Sequence, residues 1–235
     1  MVISMSGNHG AFPSSFGGNL RRLFHRALGS EQVEPSVETI TTSVPSQRRS
    51  NGLKEFWSRM GQDSCLQILD LGSASQATMS FVTERGHKFY AEDLLSALHG
   101  NADFRKLEDE SDEQVQRFLD AYLKYDEGQF DGVLGWDVLD FLADPLVKPV
   151  VDHLHKLVKP GGALLTLFHT NPAGQSVPQC QYRIRTEEAL EIKEYRHGKL
   201  QRQFHNRSIE NLFRRFASLK FYLSRDNLRE VVIVR

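Results

Sequence analysis

The chain has 235 residues, 40% of them hydrophobic and 25% charged, as in a soluble globular protein of one domain plus an appendage. Its net charge of −1 gives no global field that would draw it to nucleic acid or to an anionic membrane. The two cysteines, Cys65 and Cys180, form neither a disulfide framework nor a CxxC zinc site, and no apolar run reaches the ~18 residues of a membrane span.

Residues 1–50 are rich in Ser, Gly, Thr and Pro, which predicts a flexible N-terminal tail before a domain spanning 51–235. One stretch of the tail, Leu20–Leu28, is basic and locally amphipathic. It suits a transient helix or a docking peptide and is too short to hold a membrane alone. No basic region followed by an apolar core marks a secretory signal, so a cytoplasmic location is expected.

Residues 53–60 read as a short helix stopped by Gly61, with Phe56, Trp57 and Met60 turned toward a sheet. A strand is expected over 66–71, then a turn of small residues, Gly72-Ser73-Ala74-Ser75, and a helix from about Gln76 that ends by Gly86. A second strand follows at 88–92. Ser111, with Gln114 three residues later, has the form of a capping box, and Val115, Phe118, Leu119 and Tyr122 continue at helical spacing. A strand over 130–136 comes next. Pro149 fits the first turn of the following helix, whose apolar face is Val150, Val151, Leu154, Leu157 and Val158. Lys159-Pro160-Gly161-Gly162 ends that helix, and the apolar run 163–168 reads as a strand buried on both faces.

In the last third, 190–195 and 200–204 flank His197-Gly198 and read as an antiparallel hairpin, with Cys180 near a proline-rich loop before it. Asn206-Arg207-Ser208 matches a glycosylation triplet, but Ser208 is read as the N-cap of a helix carrying Ile209, Leu212, Phe213 and Phe216. Residues 219–223 and 231–234 form two final strands joined by a turn at Arg225-Asp226-Asn227.

The turn and the acid after it carry the chemistry. Asp93 follows Gly72 at the ~20-residue separation between glycine turn and ribose-binding acid in nucleotide-binding βαβ units. Small residues let backbone N–H groups at a helix start approach a ligand. A carboxylate at the tip of the next strand can accept from ribose hydroxyls, Glu92 being the competing acid. The chain is built to hold an adenosine-like ligand. Trp136 and Asp137 lie at the end of the 130–136 strand, at the edge where open α/β sheets bind ligands, and Asp140 follows as a further helix-start acid. Trp136 is either a pocket wall or a core indole. His169, just past 163–168, is the histidine placed for general-base work, against the alternative of a satisfied polar residue at a strand end.

Asp70-Leu71-Gly72, then Phe130-Asp131-Gly132-Val133, then Lys159-Pro160-Gly161-Gly162, in this order, resemble the class I S-adenosylmethionine-dependent methyltransferases from about Leu66 to the C-terminus. The resemblance implies a three-layer α/β sandwich. Its sheet would be mostly parallel and seven-stranded, with an antiparallel C-terminal strand. It implies S-adenosylmethionine as cofactor and methyl transfer to a small-molecule acceptor. The cofactor-binding residues it implies are Asp70, Gly72, Ser73, Ala74, Glu92, Asp93, Asp120 and Trp136, with Asp120 as an adenine contact. His169 is the candidate catalytic residue, and no metal is expected. The departure is Ala74, where such enzymes carry a glycine, with Gln76 where another is frequent. A β-carbon at position 74 is tolerable if φ is negative. This departure supports an alternative, a catalytically silent methyltransferase-like module for binding or assembly. A nicotinamide-dependent oxidoreductase is disfavoured by the antiparallel ending. No nucleic-acid partner and no stable membrane association are expected.

Overall fold

The computed structural model describes residues 44–61, 65–101, 112–223 and 227–235, all within one compact unit, Glu38–Arg235. The segment Leu20–Leu28, Ser111 and the turn residues Arg225 and Asp226 lie outside the described residues. So does most of the expected tail. Its last part does not: Ser46–Arg49 forms strand β1, so ordered structure begins before residue 51.

The elements in chain order are α1 (Asn51–Ser58), β2 (Gln67–Asp70), α2 (Gln76–Thr83), β3 (Lys88–Ala91), α3 (Leu94–Gly100), α4 (Asp112–Tyr122) and β4 (Phe130–Trp136). Then come α5 (Val138–Phe141), α6 (Asp144–Leu157), β5 (Val158–His169), β6 (Ser176–Thr186), β7 (Ala189–Lys199), α7 (Asn206–Leu212), β8 (Ser218–Leu223) and β9 (Leu228–Val234). The main sheet has six strands in the order β3-β2-β4-β5-β9-β8. β3, β2, β4 and β5 are parallel, and β9 runs antiparallel to both β5 and β8. The expected count of seven is therefore corrected to six among the described residues. The segment that a seventh strand would use is α4: Val115, Phe118 and Leu119 share one helical face and are buried in the core.

Alternate strand residues build two cores on opposite faces of this sheet. Ile68, Leu134, Leu165 and Val232 meet Leu53 and Phe56 of α1 and Phe81 of α2. Leu69, Val133, Leu164 and Ile233 meet α3, α4, α6 and α7 through Leu94, Phe118, Leu154 and Ile209. This is the three-layer sandwich expected from the sequence. The loop motifs clamp its amino edge. Asp131 accepts from Lys159 Nζ at 2.8 Å and from the Gln67 N–H at 2.8 Å, and Gly161 turns the chain with φ of +82°.

Three local readings need correction. Pro149 lies inside α6, not in its first turn, because the helix starts at Asp144 with Pro145 in that place and recruits Leu146 and Val147 to the buried face. Ser208 is not an N-cap. Helix α7 starts two residues earlier, and Ser208 Oγ accepts from the His205 N–H at 2.9 Å. The hairpin does not turn at His197-Gly198. β7 runs through both residues and pairs with β6 along its length, the turn falling after Thr186. Gly198 serves close approach instead: a β-carbon there would lie 2.4 Å from Gln179 Nε2. β1, β7 and β6 form a second, antiparallel three-stranded sheet.

Candidate active site at the carboxyl edge of the sheet

The chain passes from β2 to β3 on one side and then crosses to β4 on the other. The carboxyl ends of β2 and β4 therefore form the switch point where open α/β sheets hold ligands. Asp70 ends β2 there, almost fully buried. Its Oδ1 accepts from the Gly72 N–H at 2.9 Å and from the Trp136 indole N–H at 2.7 Å. Its Oδ2 is buried with no hydrogen-bond partner. Burial pushes the carboxyl up to about 7, against the two N–H donors, which pull it down.

The turn then feeds α2, whose N-cap Ser75 accepts from the Thr78 N–H at 3.1 Å. Gly72 and Ser73 lie between Asp70 and that cap. Ala74 is exposed, has no positive φ, and its carbonyl accepts from Gln181 Nε2 at 2.8 Å. The missing glycine therefore does not strain the turn. Gln76 lies along the helix, donating to Ser80 Oγ at 3.1 Å.

The two acids at the tip of β3 divide their work. Glu92 Oε1 accepts from the Tyr125 hydroxyl at 2.6 Å. Asp93 caps α3, accepting from the Ser96 N–H at 2.9 Å and from Ser96 Oγ at 2.9 Å. Asp93 is thus fixed in orientation at the strand end, and each of its oxygens has further lone pairs for a ligand. Asp120 does not belong to this group. It lies on the exposed face of α4 and accepts from Gln116 Nε2 at 2.8 Å. The adenine contact expected there is corrected, since helical spacing turns that carboxylate to solvent.

Trp136, the last residue of β4, has φ of +44°, a left-handed conformation that costs an L-residue roughly 1–2 kcal/mol. Its carbonyl is held by Thr166 Oγ1 at 2.8 Å. The indole is buried and lies directly on the turn: a β-carbon on Gly72 would come 2.6 Å from Trp136 Cδ1. It stacks on Tyr182 of β6 with ring centroids 5.0 Å apart and planes 11° apart.

Beyond Trp136 lies a buried acid cluster. The Tyr182 hydroxyl donates to Asp137 Oδ2 at 2.9 Å. Burial pushes Asp137 up to about 6, opposed by His169 and by that hydroxyl. Asp140 Oδ2 accepts from the His169 backbone N–H at 2.6 Å and meets His169 Nδ1 at 2.9 Å, while its Oδ1 is buried without a partner. Burial raises Asp140 as well. Asp140 Oδ2 thus holds both the backbone and the ring of His169, with Nδ1 turned toward the carboxyl group. Cys180 is held above its ordinary range by burial and by Asp137 and Glu194, and burial pushes Tyr195 up to about 12. Both belong to the β6–β7 hairpin.

Sequence reasoning read part of β7 as a hairpin strand but missed Tyr182, Gln181 and the strand β6 to which they belong. A register shift between Gln179 and Cys180 breaks the period-two pattern that marks a strand. The signal left in the sequence was the buried set Val177, Gln179, Tyr182 and Ile184, whose spacing slips by one across the bulge.

A profile described as "Methyltransferase domain" matches residues 19–216. The chain belongs to this methyltransferase family. The match reaches into the segment read as a tail. No curated protein sequence matches the chain. Among solved structures, the Burkholderia thailandensis 1,6-didemethyltoxoflavin-N1-methyltransferase, bound to 1,6-didemethyltoxoflavin and S-adenosylhomocysteine, is 14% identical. It covers 77% of this chain and 74% of its own, with a TM-score of 0.44. An S-adenosylmethionine-dependent methyltransferase from Methanosarcina mazei is 14% identical over 76% of this chain and 95% of its own, with a TM-score of 0.45. A glycopeptide N-methyltransferase, MtfA, complexed with S-adenosylmethionine is 15% identical over 79% and 94%, with a TM-score of 0.42.

Proposed function

We propose that this methyltransferase domain transfers a methyl group from S-adenosylmethionine to a small-molecule acceptor held beneath the β6–β7 hairpin. One observation carries the reading. At the switch point of the sheet, a turn of small residues, two acids at the tip of β3 and an Asp70 oxygen without a partner come together. The side chains present fit the cofactor. Gly72, Ser73 and Ala74 would offer backbone, Asp93 would receive ribose hydroxyls with Glu92 beside it, and Asp70 would line the remaining wall.

When bound, the sulfonium group supplies both the methyl and its leaving group, so the protein mainly aligns, encloses and manages a proton. Tyr182 would cover the filled site with apolar surface and exclude water. Asp140 orients His169, and a proton leaving a hydroxyl or N–H acceptor would be held at His169 Nε2. Asp137 and Asp140 lie beside that imidazole, and burial raises both carboxyls. A cytoplasmic location suits both cysteines being free thiols, and no described helix is long and apolar enough to cross a membrane.

Thermal unfolding tests the cofactor. S-adenosylhomocysteine should raise the melting temperature by mass action, and NAD at equal concentration should not. No shift at millimolar S-adenosylhomocysteine would favour the silent binding module instead.

A further inference from the structure

Three groups that a ligand at the turn would use are already engaged by the protein. The open face of Gly72 is covered by the Trp136 indole, whose Cδ1 would lie 2.6 Å from a β-carbon there. The indole N–H donates to Asp70 Oδ1 at 2.7 Å, just as an N–H donor of a ligand would. The Ala74 carbonyl accepts from Gln181 Nε2 at 2.8 Å. All three contacts are coupled through β6. Tyr182 stacks on the indole, its hydroxyl donates to Asp137, and the Ile184 N–H donates to Thr78 Oγ1 at 3.1 Å, tying the strand to α2. The backbone of Trp136, at φ of +44°, is in a conformation that L-residues rarely adopt.

Resting on the cofactor reading above, we propose that Trp136 and Tyr182 form an aromatic latch across the turn. The structure described is the latched state. Cofactor binding requires the indole to leave Gly72 and Asp70, and β6 to slip off it. Trp136 thereby sets both affinity and rate of entry, a role that packing in a core would not give it. Binding is drawn from a minority open population, so apparent affinity is reduced by the fraction that is open.

Tryptophan emission reads the latch directly. The chain has two tryptophans, and Trp57→Phe leaves Trp136 as the single reporter. In that variant, S-adenosylhomocysteine should shift the emission to longer wavelength as the buried indole is released. The double variant Trp57→Phe/Trp136→Phe should show no tryptophan signal to shift. By calorimetry, Trp136→Ala should bind S-adenosylhomocysteine about tenfold tighter or more than the wild type, and Tyr182→Ala should move in the same direction. If either alanine variant fails to fold, the emission experiment decides alone. Wild-type binding with an unmoved Trp136 emission, or weaker binding by folded Trp136→Ala, overturns the latch and leaves the cofactor reading intact. Absence of binding by the wild type and by every folded variant overturns both.

Discussion

At the amino edge of the six-stranded sheet, Asp131 uses both oxygens on Lys159 and takes the Gln67 N–H as well. At the carboxyl edge, Asp70 and Asp140 are deeper in the molecule, yet each keeps one buried oxygen with no hydrogen-bond partner. A satisfied polar group stabilises a fold modestly, whereas a buried unsatisfied one costs about 1–3 kcal/mol. The Asp131 cluster at the amino edge therefore adds to stability. The carboxyl edge carries a cost that a ligand or a transferred proton can relieve.

The contrast can be broken at several points. The largest effect is expected at Asp93. Asp93→Ala should weaken S-adenosylhomocysteine binding by about 1.5–3 kcal/mol, the range for hydrogen bonds to a charged group, with Glu92→Ala doing much less. Asp93→Asn keeps an acceptor for the Ser96 N–H, so it separates the cap from the charge. Equal losses in Asp93→Ala and Glu92→Ala, read by calorimetry, would misplace the ribose-binding acid.

Gly72→Ala comes next. The added methyl would strike the indole, and the crowding should destabilise the fold by about 1–3 kcal/mol in urea unfolding. A neutral result would mean that Trp136 does not rest on the turn.

Asp70 adds an effect that depends on pH. Its folded pKa, raised to about 7, lies above the ordinary carboxylate value, so the native state binds the proton more tightly than the unfolded chain. Its contribution to stability is full at acid pH and is lost as pH rises from about 4 through about 7, at a limiting slope of about 1.4 kcal/mol per pH unit. Asp70→Asn has no such loss, so its stability relative to the wild type should grow between pH 5 and pH 8. Parallel urea midpoints across that range would contradict the burial argument. Asp137 titrates in the same sense in both proteins and cancels.

The smallest effect belongs to the other edge. Asp131→Asn breaks a partly exposed ion pair and should cost under about 1 kcal/mol of stability, with S-adenosylhomocysteine affinity unchanged. Lost affinity would show that the two edges are not separate.

What the sequence revealed follows the same division. The strands β2, β3, β4 and β5, the helix after Ser75 and the Asp131 and Lys159 motifs were legible because each is a local pattern of apolar period, cap or turn. Asp70, Gly72 and Asp93 were legible because spacing along one βαβ unit brings them together. Tyr182 was not, since it arrives 46 residues after Trp136, on a strand whose bulge disguises its period. Asp120 was misassigned because family order placed a strand where Val115, Phe118 and Leu119 demand a helix. The pairing of Asp140 with His169 was equally hidden, being a contact between helix α5 and the end of β5 that no local pattern encodes.

The central claim is that the cofactor binds at the turn between β2 and α2 and at the tip of β3. Amide NMR of the full chain titrated with S-adenosylhomocysteine tests it most directly. The account predicts that the largest shifts fall on the backbone amides of Gly72, Ser73, Ala74, Glu92 and Asp93, together with the Trp136 indole N–H. Shifts centred instead on the cavity lined by Trp57, Arg85 and His87, with the turn unmoved, would contradict it.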